Sequence, residues 1–103
     1  HTADPGEAGD QTTSEIAYTG YARVAVVRSA AGWTVTANSV SPVAAVAFGA
    51  MTGGAGGTVT YASIGVAASG ASKILVYGTV TPNISVVSGV TPSLPTTTAI
   101  TFN

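Results

Sequence analysis

The chain has 103 residues, enough for one domain with its own buried core, and it contains no cysteine, which excludes disulfide scaffolds and thiol chemistry. Only 7% of its residues are charged, whereas an average soluble domain has about 25%. The net charge of −1 is unevenly distributed, since every acid lies within residues 1–15 and every base lies from Arg23 onward. Three dilute bases exclude a nucleic-acid surface, and no apolar run approaches the ~18 residues of a membrane span.

Residues 1–20 are set apart from the rest of the chain by their composition. They hold all four acids and the turn-forming pairs Pro5-Gly6 and Gly9-Asp10, and they have little apolar content. This composition predicts an extended acidic N-terminal arm. We expect a single β domain over residues 21–103.

Strand patterns begin at residue 21 and recur at short intervals separated by Gly, Pro or Asn. The first is YARVAVVR, and Ser29 to Gly32 would form the hairpin loop to the second. The four alanines of the segment 42–51 also fit a helix, but Pro42 and its β-branched residues favour a strand. Gly53 to Gly57 is predicted to be a hairpin loop rather than a phosphate cradle, because it lacks a lysine and a following helix. The predicted strands are 21–28, 33–38, 42–51, 58–66, 73–81, 84–90 and 96–102.

This spacing predicts an all-β fold, an antiparallel β-sandwich or small barrel of seven to eight short strands. Alternation along the strands places the larger apolar side chains on the inner face. The predicted core residues are Trp33, Val35, Phe48 and Tyr61.

The sequence offers little for catalysis or metal binding. Its only histidine is His1, in a position expected to be mobile, so a catalytic triad fails on residue count. The acids lack the order of a calcium-binding loop, and a solvated acidic arm is the simpler interpretation. We therefore assign no catalytic, cofactor-binding or metal-binding residues and expect no enzymatic activity and no cofactor.

An uncharged β domain with an acidic arm is typical of a protein whose surface is covered by other protein chains. We expect a homo-oligomer in which the carboxylates of the arm meet basic groups of a neighbouring subunit. Neither nucleic acid nor membrane is an expected partner. The charged residues expected at such interfaces are Asp4, Glu7, Asp10, Glu15, Arg23, Arg28 and Lys73.

The opening HTADPGEAGDQTTSEIAYTGYARVAV carries a resemblance to a known family, chiefly in His1 to Pro5, Gly9, Glu15 and Tyr18 to Arg23. It resembles small tailed-phage virion proteins, usually labelled tail fibre or minor structural proteins. Looser similarity continues through Gly32-Trp33-Thr34, TGG at 52–54 and Lys73-Ile74-Leu75. Members of that family carry a further stretch before the His-Thr-Ala segment, from which this chain departs by starting at the histidine.

The resemblance implies a non-enzymatic protein of the phage particle, assembled in the host cytoplasm. A short domain with a flexible arm favours capsid decoration, as a trimeric cement protein that binds the major capsid protein on the outer shell, because a tail fibre more often shows repeats or a coiled coil. The alternative is a tail-associated or tail fibre protein in contact with tail proteins. A second alternative is a cell-surface Ig-like binding module.

Overall fold

The computed structural model describes residues 1–102, and over this range the chain is all-β without a helix. The fold class is therefore as predicted. Seven strands form three small sheets, and they do not close into a barrel. The strands are β1 (Trp33–Thr36), β2 (Ser39–Pro42), β3 (Val46–Ala47), β4 (Gly57–Gly65), β5 (Ile74–Val86), β6 (Ser93–Leu94) and β7 (Ile100–Thr101).

The first sheet has the order β1-β2-β7, and all of its pairs are antiparallel. Strands β1 and β2 meet at the two-residue turn Ala37-Asn38, where Ala37 has a φ of 53°. The side-chain amide of Asn38 donates to the carbonyl of Phe102 at 2.6 Å, and the Phe102 amide donates to the Asn38 carbonyl at 2.8 Å. These two bonds fasten the C-terminal strand to the turn.

The longest paired element is the hairpin of β4 and β5, which runs from Gly57 opposite Val86 to Gly65 opposite Ile74. Register irregularities interrupt it between Val59 and Tyr61 and again next to Gly65. Strands β3 and β6 form a separate pair of two residues each. The hairpin is thus the main scaffold on which the rest of the chain lies.

The buried hydrophobic core is small and lies at the open end of this hairpin. It consists of Ile16, Tyr18, Met51 and Val86. Gly56, with a φ of 64°, lets the chain pass this cluster, since a side chain there would collide with the Val86 carbonyl and approach the Met51 sulfur to 2.9 Å. Half of the core therefore comes from the first twenty residues.

The strand predicted over residues 21–28 was wrong, because no other segment within residues 1–102 pairs with it. Its side-chain alternation is that of a strand, but a ladder needs a neighbour as well. Residues 29–32 consequently form a turn before β1 and not a hairpin loop. The partner of β1 is β2, which the sequence did not predict as a separate strand.

The other differences concern strand boundaries. Of the predicted strand 42–51, only β3 and the last residue of β2 are extended in a sheet. Gly53 to Gly57 does not join a hairpin, since β3 and β4 are not paired. The predicted strands 73–81 and 84–90 are joined in β5, which tolerates Pro82 because each strand of a two-stranded sheet has an open edge. The predicted closing strand is reduced to β7.

The extended N-terminal arm and the two-layer sandwich are not confirmed. Residues 1–20 lie against the hairpin, with bridges from Asp10 to Lys73 and from Thr19 to Gly53. Among the residues that the structure describes, no helix is long and apolar enough to cross a membrane.

Candidate assembly surface

The first element of the site is an ion pair that joins the N-terminal segment to the hairpin. The guanidinium of Arg23 donates to both carboxylate oxygens of Glu15, at 2.7 and 2.8 Å, in a bidentate pair. The hydroxyl of Tyr21 donates to the same carboxylate at 2.7 Å. Arg23 also donates to the carbonyls of Gly70 and Ala67, at 3.0 and 3.3 Å, in the loop between β4 and β5. One arginine therefore holds three parts of the chain together.

The electrostatics of this cluster follow from its partial burial, with side-chain exposures of 13% for Arg23 and 20% for Glu15. Burial alone would raise the pKa of Glu15, but the hydrogen bonds from Arg23 and Tyr21 outweigh it and leave that pKa below its ordinary value. Burial and the Glu15 carboxylate together raise the pKa of Tyr21. Near neutral pH the cluster is a carboxylate, a guanidinium and a neutral phenol.

A second anchor is Gln11, which is 7% exposed. Its side-chain oxygen accepts from the backbone amides of Val66 and Ala67, each at 3.1 Å, and its side-chain nitrogen donates to the Ala67 carbonyl at 3.0 Å. Gly65 makes room for it, because a side chain at position 65 would collide with the Gln11 amide. Gln11 thus supplies hydrogen-bond partners to the backbone groups that follow β4, where the pairing with β5 becomes irregular.

His1, expected to be mobile, is held in place by the hairpin. Its ring nitrogens lie 2.6 Å from the Thr13 carbonyl and 2.7 Å from the Ser63 hydroxyl, and its carbonyl accepts from the amides of Thr60 and Tyr61. The bond to the Thr13 carbonyl requires a proton on Nδ1. His1 therefore covers part of the open edge of β4.

The remaining charged candidates form no ion pairs within residues 1–102, although the backbones of Asp10 and Lys73 lie opposite each other in an isolated bridge. Asp10 accepts from the amide and hydroxyl of Thr12, which lower its pKa, and Asp4 accepts from the amide of Gly6 at 2.7 Å. Glu7, Arg28 and Lys73 are exposed. Over residues 1–102, no three His, Asp or Glu side chains come together in a way that would hold a metal ion. Of the seven charged interface candidates, only Glu15 and Arg23 form an ion pair in the described part of the chain, and they form it within one chain.

The residues predicted for the core are not in the buried cluster. Trp33, Phe48 and Tyr61 are half-buried, and Phe48 stacks on Tyr21 with ring centroids 6.4 Å apart. Val35 is 70% exposed, so its core assignment was wrong. The face of β1 that carries Trp33 and Val35 is apolar as predicted, but no second sheet closes over it.

Large apolar side chains are instead prominent on the surface. Because this 10.0 kDa chain has few charged residues, these apolar groups lie next to other uncharged surface. The exposed large hydrophobic residues are Val24, Val27, Val35, Val43, Val66, Leu75, Tyr77, Val87 and Phe102.

Several of these residues border an open groove, which we call the apolar cleft. It lies between the β1-β2-β7 sheet and the β4-β5 hairpin and has a volume of about 710 Å³. Trp33, Val35 and Phe102 line one wall, and Ile64 and Leu75 line the other. A second cavity, of about 510 Å³, continues beneath residues 24–28 toward the Glu15 cluster. The chain by itself leaves both spaces unfilled by side chains.

The anchoring roles of Gln11, Tyr21 and His1 were missed in the sequence analysis. Glu15 and Arg23 lie eight positions apart, and in a chain with so few charges such a close pair of opposite charges was the available signal. Nothing local in the sequence marks Gln11, because its partners Val66 and Ala67 are more than fifty residues away.

Comparison with known proteins gives one match. A family model described as podophage GP4 fiber I protein gp80 matches residues 1–101 of the chain. No curated protein and no solved structure matches at a significant level.

Proposed function

Since this chain belongs to the podophage fiber I protein family, we propose that it is a non-enzymatic structural subunit of a phage fibre. Membership indicates a virion-associated protein of fibre type and favours the tail-fibre alternative over capsid decoration. We propose both that the chain is located in a fibre and that it has no enzymatic activity.

The observation that supports an assembly role is the accessible surface of the chain, which measures 6130 Å². A compact monomer of this mass exposes about 5,200 Å² on average. The excess includes exposed valines and the apolar cleft, which other protein would cover in an assembled fibre. The scarcity of charge acts in the same direction, because it lowers the cost of removing this surface from water.

The partners we propose are further copies of this chain and other fibre proteins. Homotrimer formation stays a prediction. The acidic residues are a minor part of this assembly, because Glu15 already has its basic partner in the same chain.

Labelling of intact particles tests the location. Antibodies raised against the chain, detected by electron microscopy of purified phage, are expected to mark thin projections outside the shell. Label spread evenly over the head would instead support capsid decoration and overturn the fibre proposal.

A further inference from the structure

Residues 22–28, which we call the unpaired segment, have the sequence ARVAVVR and the composition of a strand. Among the residues that the structure describes, none accepts a hydrogen bond from their backbone amides, and none donates one to their carbonyls. A run of seven residues without backbone partners is unusual, because backbone groups nearly always find partners in secondary structure, side chains or water. The run ends at Ser29, whose carbonyl accepts from the amides of Gly32 and Trp33.

Two of the three valines of the unpaired segment are exposed, and Val26 is half-buried. Val27 is 60% exposed and Val24 is 41% exposed, while Val24 and Val26 border the cavity beneath the segment. The segment is fixed at its beginning, because Arg23 is bound to Glu15. Near its end, the segment packs against Gly32, where a side chain would collide with the Val27 carbonyl. It is therefore an apolar edge that is fixed at both ends and has unpaired backbone groups between them.

We infer that the unpaired segment is an unfinished strand that pairs antiparallel with the same segment of a second copy of this chain. The inference rests on the proposed function for self-association and adds the element that mediates it. Strand addition of this kind supplies backbone hydrogen bonds to both copies at once.

The sequence of the segment suits pairing about a two-fold axis at Ala25. Val24 of one copy then lies opposite Val26 of the other, and Arg23 lies opposite Val27. Neither arginine faces a like charge, because Arg28 lies opposite Ala22. Arg23 also enters the pairing already neutralised by Glu15.

The surface excess of the whole chain is close to the area that an ordinary interface buries on one partner. The accessible surface of 6130 Å² exceeds the average for a compact monomer of this mass by roughly 900 Å². A stable protein interface buries about 800 Å² on each partner. The surface excess of the whole chain is therefore of the size that one interface with a second copy would cover.

The test uses the whole chain and a matched pair of variants. Val27→Lys places a charge in the unpaired segment, and Val87→Lys places one at a site of similar exposure, 60% against 56%, outside that segment and both cavities. Sedimentation velocity over a dilution series measures self-association. Val27→Lys is expected to weaken it at least about tenfold, because a buried lysine opposes edge pairing, while Val87→Lys leaves it nearly unchanged. Circular dichroism checks that both variants remain folded.

Hydrogen exchange gives an independent result on the unaltered chain. Alternate amides of residues 22–28 are expected to be protected in the associated protein and to exchange freely after dilution. A chain that stays monomeric at all concentrations, free exchange in the associated protein, or equal effects of the two lysine variants would overturn the inference. Particle labelling tests the fibre location separately, so either proposal can fail without the other.

Discussion

The side chain of Glu15 holds Tyr21 and Arg23 close to the N-terminal segment. Its carboxylate accepts from Tyr21 and from two nitrogens of Arg23, and Arg23 continues to the loop between β4 and β5. Charge-assisted bonds of this kind are among the stronger ones in proteins, and each is worth more when water is partly excluded. Glu15, one of the acids predicted to contact another subunit, therefore makes its ion pair within its own chain.

Replacing Glu15 by glutamine is expected to lower the free energy of unfolding by about 1–3 kcal/mol at neutral pH, because Arg23 and Tyr21 lose a charged acceptor. The pKa of Glu15 is lowered in the folded chain, so its contribution is present above the ordinary carboxyl pKa and is lost as the pH falls through the lowered value. Urea unfolding measured between pH 7 and pH 3 should show this loss in the parent chain and a flatter profile in Glu15→Gln. Glu7→Gln, at an exposed acid, is the control, and equal stability of the two variants would contradict the role of the cluster.

At the scale of elements, residues 1–20 belong structurally with the hairpin they cover. Ile16 and Tyr18 supply half of the buried hydrophobic cluster, and Gln11 completes the end of β4. These contacts differ from those of an arm that reaches away from its domain. Residues 21–103 by themselves therefore hold only half of the buried hydrophobic cluster.

Deletion of residues 1–20 is expected to abolish the folded state, because it removes two of the four buried apolar side chains and uncovers Met51 and Val86. Circular dichroism and thermal unfolding measure this directly. The neighbouring variants Ile16→Lys and Ala17→Lys are a matched pair, one buried and one exposed, and only the first should unfold the chain. A truncated chain with the β signal and cooperative unfolding of the parent would show that residues 1–20 are a separate arm.

The sequence predicts those strands whose residue pattern and flanking turns are local to the strand itself. Strands β1 and β4 were predicted within a few residues, since Val/Thr alternation and flanking turns define them locally. Residues 21–28 have the same pattern but no partner strand in the part of the chain that the structure describes, and alternation cannot reveal whether a partner exists. The core was misplaced for the same reason, because burial of Val35 needs an opposing sheet that the fold does not supply.

Trp33 provides a spectroscopic test of the apolar cleft, because it is the only tryptophan and lines one wall. It is half-buried in the single chain, so its fluorescence emission should lie at a longer wavelength than that of a core tryptophan. Covering the cleft on assembly removes water from the indole, and the emission maximum should then move to shorter wavelength. The same maximum at the highest and lowest concentrations, in a sample whose association is confirmed by sedimentation, would mean that the cleft stays open.

For the molecule as a whole, the central property is a surface larger and less charged than a free monomer needs. The chain exposes 6130 Å² with 7% charged residues, and its apolar cleft lies between two sheets that do not pack together. Such a chain is expected to be stable and soluble chiefly as part of an assembly, where neighbouring proteins cover the apolar groups. This is consistent with a family whose members are described as fibre proteins.

Hydroxyl-radical footprinting of the chain in intact phage particles, compared with the purified chain at low concentration, tests this claim most directly. The claim predicts strong protection of Trp33, Leu75 and Phe102 in the particle, since these residues line the apolar cleft. Pro5, already buried in the single chain, is the internal control and should react equally in both states. Equal modification of the three cleft residues in particles and in the free chain would contradict the account, because the apolar cleft would then remain exposed to water in the assembled virion.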